Sequence, residues 1–160
     1  MSKIYLASPH GFAQSTGGFL QELKSEIRKH GHTVIDPWDE GAEQFKEFKG
    51  RERRMSPEER AAELMALNHR IGDLNRGAIE GVDVVVAVLD GSDVDSGTAS
   101  EVGFAFARDK TIYGYRGDIR LTCVRTLVNL QVQYWIEESG GRLVRTVPDL
   151  IFALNGVNNP

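Results

Sequence analysis

VDVVVAVLDGSDVDSGTASEVGFAFAR, residues 82–108, decides the fold of this chain. The run 82–89, apolar except for Asp83, is ended by the turn residues Asp90, Gly91 and Ser92, which is the pattern of a strand buried on both faces. Residues 97–108 follow as a helix rich in small side chains, with Asp95 or Ser96 placed to cap it. A strand that runs straight into a helix this way belongs to a parallel sheet, and open α/β sheets bind ligands at the carboxyl ends of their strands. The turn brings two carboxylates there, Asp95 and Glu101. Glu101 is expected near the positive end of the helix dipole, which favours its ionised form. Capping by Asp95 and dipole compensation by Glu101 would also explain both acids without any chemistry, so the rest of the chain has to decide.

Working outward, residues 3–7 (KIYLA) read as a first strand ended by Ser8-Pro9. Residues 16–30 carry Phe19, Leu20, Leu23 and Ile27 at helical spacing, with Gly31 as the stop. Thr33-Val34-Ile35 forms a second strand closed by Asp36-Pro37. Residues 38–55 are charged and weakly periodic, and are expected as a long loop or irregular helical excursion that lines or covers a site. Ser56-Pro57-Glu58-Glu59 starts a helix that reaches about Glu80, with a bend expected near Gly72. After the strand at 83–89 and the helix at 97–108 come a fourth strand at 111–115 and an irregular loop at 116–125 with Arg116, Asp118 and Arg120. A helix at 127–139, a fifth strand at 142–145, a closing helix at 147–154 and a frayed tail at 155–160 complete the chain.

Strand and helix alternate five times, which predicts an α/β fold: one domain over 1–160 with a five-stranded, doubly wound parallel sheet. The flavodoxin/Rossmann-like strand order 2-1-3-4-5 puts the first and third strands side by side at the switch point, so the crevice is expected between residues 5–8 and 90–101.

A net charge of −4 removes the basic excess that nucleic-acid-binding surfaces carry, and no apolar stretch approaches the roughly 20 residues of a membrane span. Cys123 is the sole cysteine, so no intramolecular disulfide can form, and without a leader-like segment the cytoplasm is the expected compartment. His10, His30, His32 and His69 are scattered, so no metal site and no cofactor is expected.

Tyr5, Asp73, Asp95, Glu101 and Asn129 are the chemical set: a tyrosine, three acids and an amide, with no Cys/His pair. Such a set suits glycosidic chemistry, where one carboxylate attacks or shields an oxocarbenium-like carbon and another acid protonates the departing group. In KIYLA (3–7), DLN (73–75), DVDSGTASEVGFAFARDK (93–110), GYRGDIR (114–120) and NLQVQYWI (129–136) the chain resembles the nucleoside 2-deoxyribosyltransferase family. The block Asp-x-Gly-x-x-x-Glu-x-Gly-x-Ala, with Asp95, Gly97, Glu101, Gly103 and Ala105, is the most specific of these.

The resemblance implies that Glu101 attacks C1′ of a 2′-deoxynucleoside and carries a covalent 2-deoxyribosyl group, while Tyr5 orients it. It implies that Asp95 holds sugar hydroxyls, that Asp73 is the base-side acid, and that Asn129 reaches the site of a neighbouring subunit in a homo-oligomer. The partners implied are a 2′-deoxynucleoside and a free nucleobase, with no nucleic-acid polymer and no membrane. Ser8 and Gly97 are candidate backbone or hydroxyl contacts, and Phe12 and Trp38 candidate stacking groups for the base. The residues also admit plainer uses: Tyr5 as a core aromatic, Asp73 as a surface residue, Asn129 as a helix cap. Two other functions fit the same fold, an N-deoxyribosyl hydrolase acting on deoxynucleosides or their 5′-monophosphates and a non-catalytic nucleotide-binding module. The loop 8–18 offers glycines and hydroxyls to a 5′-phosphate but no basic residue beside them.

Overall fold

The computed structural model describes residues 1–120 and 128–156. Five strands form one sheet: β1 (Lys3–Ala7), β2 (Thr33–Ile35), β3 (Val84–Val88), β4 (Thr111–Tyr115) and β5 (Arg142–Val144). All neighbours pair in parallel in the order β2-β1-β3-β4-β5, with Tyr5 opposite Ile35 on one side and Val85 on the other. Six helices connect them: α1 (Gly17–Lys29), α2 (Pro37–Glu52), α3 (Pro57–Glu80), α4 (Ser96–Phe106), α5 (Leu130–Glu138) and α6 (Val147–Gly156).

Alternation along the buried strands divides the core into two layers. Ile4, Leu6, Val84, Val86 and Val88 pack against α1 and α6 through Leu20, Leu23, Ile27, Leu150 and Leu154. Tyr5, Ala7, Val85, Ala87 and Ile112 face the other way, against Ile79 of α3, Val102 and Ala105 of α4, and Val132 and Ile136 of α5. This parity sends the Tyr5 side chain toward α4. A shift of one residue in the β1 register would point it at α1 instead.

The segment 38–55, expected to be irregular, is a regular helix over Pro37–Glu52. Asp36 caps it by accepting from the Trp38 N–H at 2.9 Å, and Pro37 sits at the first position. Trp38, Ala42, Phe45 and Phe48 recur at helical spacing, but the pairs Glu43–Lys46 and Lys49–Glu52 crowd the polar face and dilute the pattern. Where a break or bend was expected near Gly72, α3 runs as one uninterrupted helix. One exposed glycine weakens a helix by about 1 kcal/mol, less than the packing of Leu67 and Ile79, which hold α3 on both sides of it. The start of α3 is as expected, a capping box between Ser56 and Glu59. Residues 121–127, including Cys123 and the start expected for α5, and the tail 157–160 lie outside the described residues.

The entry to α2 is tied to α1 by a buried ion pair. Lys24 Nζ donates to Asp36 Oδ2 at 2.7 Å, with side-chain exposures of 1% and 0%, and to Asp39 at 2.9 Å. Lys24→Met should therefore destabilise the fold by roughly 3 kcal/mol, because it strands the Asp36 charge in the core. Lys24→Met with Asp36→Asn should recover much of that loss in urea unfolding. An equal loss in both variants would show that the lysine matters for its packing alone.

Candidate active site

A cavity of about 830 Å³ opens at the carboxyl ends of β1 and β3. That size suits a small-molecule site. Four segments build it. Ser8, Gly11 and Phe12 follow β1, while Asp95, Gly97, Thr98 and Glu101 belong to the turn and helix after β3. The roof comes from α2, with Trp38 and Phe45, and from α3, with Ile71 and Asn75.

At its floor the Tyr5 hydroxyl donates to Glu101 Oε1 at 2.7 Å. Tyr5 is fully buried, so the ring is held by the core and only its hydroxyl serves the site. The Asn75 side-chain amide donates to the same oxygen at 3.5 Å. Both of these donors go to Oε1 and neither to Oε2, and Glu101 lines the cavity.

The ionised Glu101 expected from the helix dipole is not what the geometry favours. Glu101 is in the second turn of α4, beyond the unpaired N–H groups at the helix start. Burial pushes its carboxyl up to about 7 from an ordinary 4.5; the Tyr5 hydrogen bond pulls the other way, and the charges of Asp95 and Asp36 push it further up. Desolvation therefore outweighs the dipole.

Asp95 caps α4, its Oδ2 accepting from the Thr98 N–H at 2.9 Å and from the Thr98 hydroxyl at 3.3 Å. It still lines the cavity, so the cap and a ligand contact are compatible. A Cβ on Gly97 would come within 3.0 Å of Asp95 Oδ2, which ties glycine there to the placement of the carboxylate. Ser8 is buried, and its hydroxyl accepts from the His10 N–H at 3.1 Å while its carbonyl accepts from Trp38 Nε1 at 2.9 Å. Phe12 meets the Trp38 ring edge-on at 4.4 Å. Gly11 lies flat on that ring, and an added Cβ would sit only 2.1 Å from it. Phe12 and Trp38 together therefore form one aromatic wall.

Asp73 is not brought to the site. It is 72% exposed and accepts from Arg76 at 2.9 Å on the outer face of α3. The residue of DLN that does line the cavity is Asn75, which the sequence reading passed over. Two residues along a helix turn the side chain by about 200°, so Asp73 and Asn75 cannot share a face. The spacing of Asn75 from Ile71, four residues, is the signal that would have found it. Phe45, seven residues after Trp38, was missed because α2 was expected as irregular.

Asn129 caps α5 by accepting from the Gln131 and Val132 N–H groups at 3.0 and 3.5 Å. Within one chain it lines a separate groove of about 350 Å³, with Asp93, Ser100 and Trp135, rather than the Glu101 cavity. Arg116 donates to the carbonyls of Leu89, Gly91 and Arg120, and Arg120 pairs with Asp118, so both cations brace the loop after β4. Among the described residues no group of three His, Cys, Asp or Glu side chains is arranged to hold a metal, and no helix is long and apolar enough to cross a membrane.

The chain matches a family model described as nucleoside 2-deoxyribosyltransferase over residues 4–143. No curated protein sequence matches it. Among solved structures it is similar to a conserved protein from Enterococcus faecalis V583 at 20% identity, covering 98% of this chain and 99% of that one with a TM-score of 0.69. A 2-deoxyribosyltransferase from Leishmania mexicana superposes with a TM-score of 0.65 at 18% identity, over 100% of both chains. A 2-deoxyribosyltransferase from Bacillus psychrosaccharolyticus does so with a TM-score of 0.63 at 20% identity, over 93% and 90%. These likenesses bear on the fold.

Proposed function

The chain belongs to the nucleoside 2-deoxyribosyltransferase family, and from that premise we propose that it exchanges the nucleobase of 2′-deoxynucleosides through a covalent 2-deoxyribosyl group on Glu101. The observation that carries this reading is the 2.7 Å bond from the Tyr5 hydroxyl to Glu101 Oε1 at the floor of the cavity. It anchors one carboxylate oxygen and leaves Oε2 to attack.

In the first step Oε2 forms a bond to C1′, the C1′–N bond breaks, and its electron pair leaves with the base. In the second step a different base attacks the same carbon and returns the electron pair to the carboxylate. Asp95, whose Oδ2 is committed to Thr98, offers its other oxygen to sugar hydroxyls. Trp38 and Phe12 supply the apolar wall for a flat ring, with stacking worth about 1–3 kcal/mol per base. A 2′-hydroxyl would crowd the attacking carboxylate, which accounts for a preference for the deoxy sugar. Asn129, exposed at the start of α5 and outside its own chain's cavity, would on this reading serve the site of a neighbouring subunit in a homo-oligomer.

The charged side chains described in the cavity wall are both carboxylates, Asp95 and Glu101. Their field repels a phosphate, which favours nucleosides over 5′-monophosphates. The test is to incubate one deoxynucleoside, and separately its 5′-monophosphate, with a second free base. A new deoxynucleoside from the first donor, at a rate at least about tenfold above that from the second, is the expected result. Free deoxyribose with no new nucleoside would make water the acceptor and the protein a hydrolase. Binding without turnover of either donor would leave a binding module.

A further inference from the structure

Transfer as proposed above builds negative charge on the departing base that must be met, and the acid expected to meet it, Asp73, points outward. We propose that Asn75 serves the base end of the cavity in its place, and that the base leaves hydrogen-bonded to the protein but without a proton from it. The inference rests on the transferase reading and goes beyond it.

Three observations meet at this residue. Asn75 and Ile71 lie one turn apart on α3 and line the cavity together, on the same side as the aromatic wall of Trp38 and Phe45. The Asn75 amide lies 3.5 Å from Glu101 Oε1, so it sits at the boundary between the attacking carboxylate and the apolar part of the cavity. The described residues of the cavity wall include no histidine, lysine or third carboxylate. Asp95 stands at the α4 cap and Glu101 is the attacking group, so neither is free to act as the base-side acid.

An amide nitrogen carries two hydrogens. One is directed to Oε1 of Glu101, and the other is available to a ring nitrogen or carbonyl of the base. As the C1′–N bond breaks, its electron pair goes to the base nitrogen and Oε2 bonds to C1′. The growing charge on the base is met by the second Nδ2–H, and the proton that completes the free base comes from water. An amide does not give up a proton at neutral pH, so the rate must follow the leaving ability of the base itself.

The experiment measures kcat/KM for deoxynucleosides whose bases span several pKa units as leaving groups, with wild type, Asn75→Ala and Asn75→Asp. Wild type should slow steeply as the base becomes more basic. Asn75→Ala, on a partly exposed helix position where alanine is a good helix former, should fold normally. It should lose roughly ten- to hundred-fold, the worth of one hydrogen bond to a charged group, and keep the steep dependence. Asn75→Asp supplies an acid, so it should flatten that dependence and favour poor leaving groups relative to good ones. It also adds a carboxylate beside Glu101, which Tyr5 of β1, Asp95 at the start of α4 and Asp36 at the start of α2 already face. Its acid limb should therefore move up by about one pH unit. A wild-type rate indifferent to the leaving base, or an Asn75→Ala protein as fast as wild type, overturns the inference while base exchange still stands. A wild type that exchanges no base overturns both.

Discussion

Glu101→Gln should leave a folded protein whose base exchange is slower by on the order of 10⁶-fold, the scale seen when a covalent nucleophile is removed. The amide keeps the shape of the side chain and can still accept the Tyr5 hydroxyl, so the core layer around Tyr5 has no reason to rearrange. What it loses is the anionic oxygen that bonds to C1′. The same substitution should stabilise the protein at alkaline pH. Glu101 has a folded value of about 7 against an ordinary 4.5, so its contribution to stability is complete below about 4.5 and is lost as pH rises through 7. That difference corresponds to roughly 3 kcal/mol above pH 8. Glu101→Gln should accordingly melt higher than wild type at pH 8 and alike at pH 4. Mass spectrometry of wild type mixed with a donor alone should show a deoxyribosyl adduct on the peptide containing Glu101, absent from the variant. A variant that exchanges bases near the wild-type rate would remove Glu101 from the chemistry.

The second large effect is on pH dependence. Attack needs the ionised carboxylate, so log kcat/KM should rise with unit slope below about pH 7 and flatten above it, a limb set mainly by burial of Glu101. Tyr5→Phe deletes the one interaction that lowers that value, so its limb should shift upward, by about one unit for a single hydrogen bond to a carboxylate. The variant should also lose activity on its plateau, because Oε1 keeps only the longer 3.5 Å contact from Asn75. A wild-type limb near pH 4.5 would mean that Glu101 is solvated in the working enzyme, and a Tyr5→Phe limb unchanged from wild type would mean that the 2.7 Å bond does no electrostatic work.

Much of this architecture was legible beforehand. Residues 82–89 had to be a central strand because a run interrupted only by Asp83, with six consecutive apolar residues at 84–89 before turn signals, leaves few other packings, and β3 pairs with both β1 and β4. Five alternations and the handedness of crossovers implied a doubly wound parallel sheet, and the order 2-1-3-4-5, chosen because it pairs the first and third strands at the switch point, is the one observed. Tyr5, Asp95 and Glu101 were legible because they lie on β1 or in the turn and helix that follow β3, two strands that pair side by side.

The residues the reading misplaced are all on helices. Asp73 and Asn75 are two positions apart, and which of them meets the cavity depends on the rotation of α3 about its axis. That rotation is set by Leu67 and Ile79 against the rest of the core, contacts far away in sequence. The α2 helix was obscured for a related reason: its apolar stripe is narrow, and it is held by Asp36 bonded to a lysine twelve residues earlier.

The ionisation of Glu101 shows the same division. Its position near a helix start can be read from the chain and suggests an anion. Its burial against Tyr5, ninety-six residues away, and its proximity to Asp95 and Asp36 arise only when the sheet closes. Local spacing and turn chemistry, which act over a few residues, were enough to locate the strands and, with the topology rules of parallel sheets, the end of the sheet where the cavity lies. Side-chain facing on the helices and the charge state of the central carboxylate were decided by the tertiary structure, because both depend on distances between segments that the linear chain does not contain.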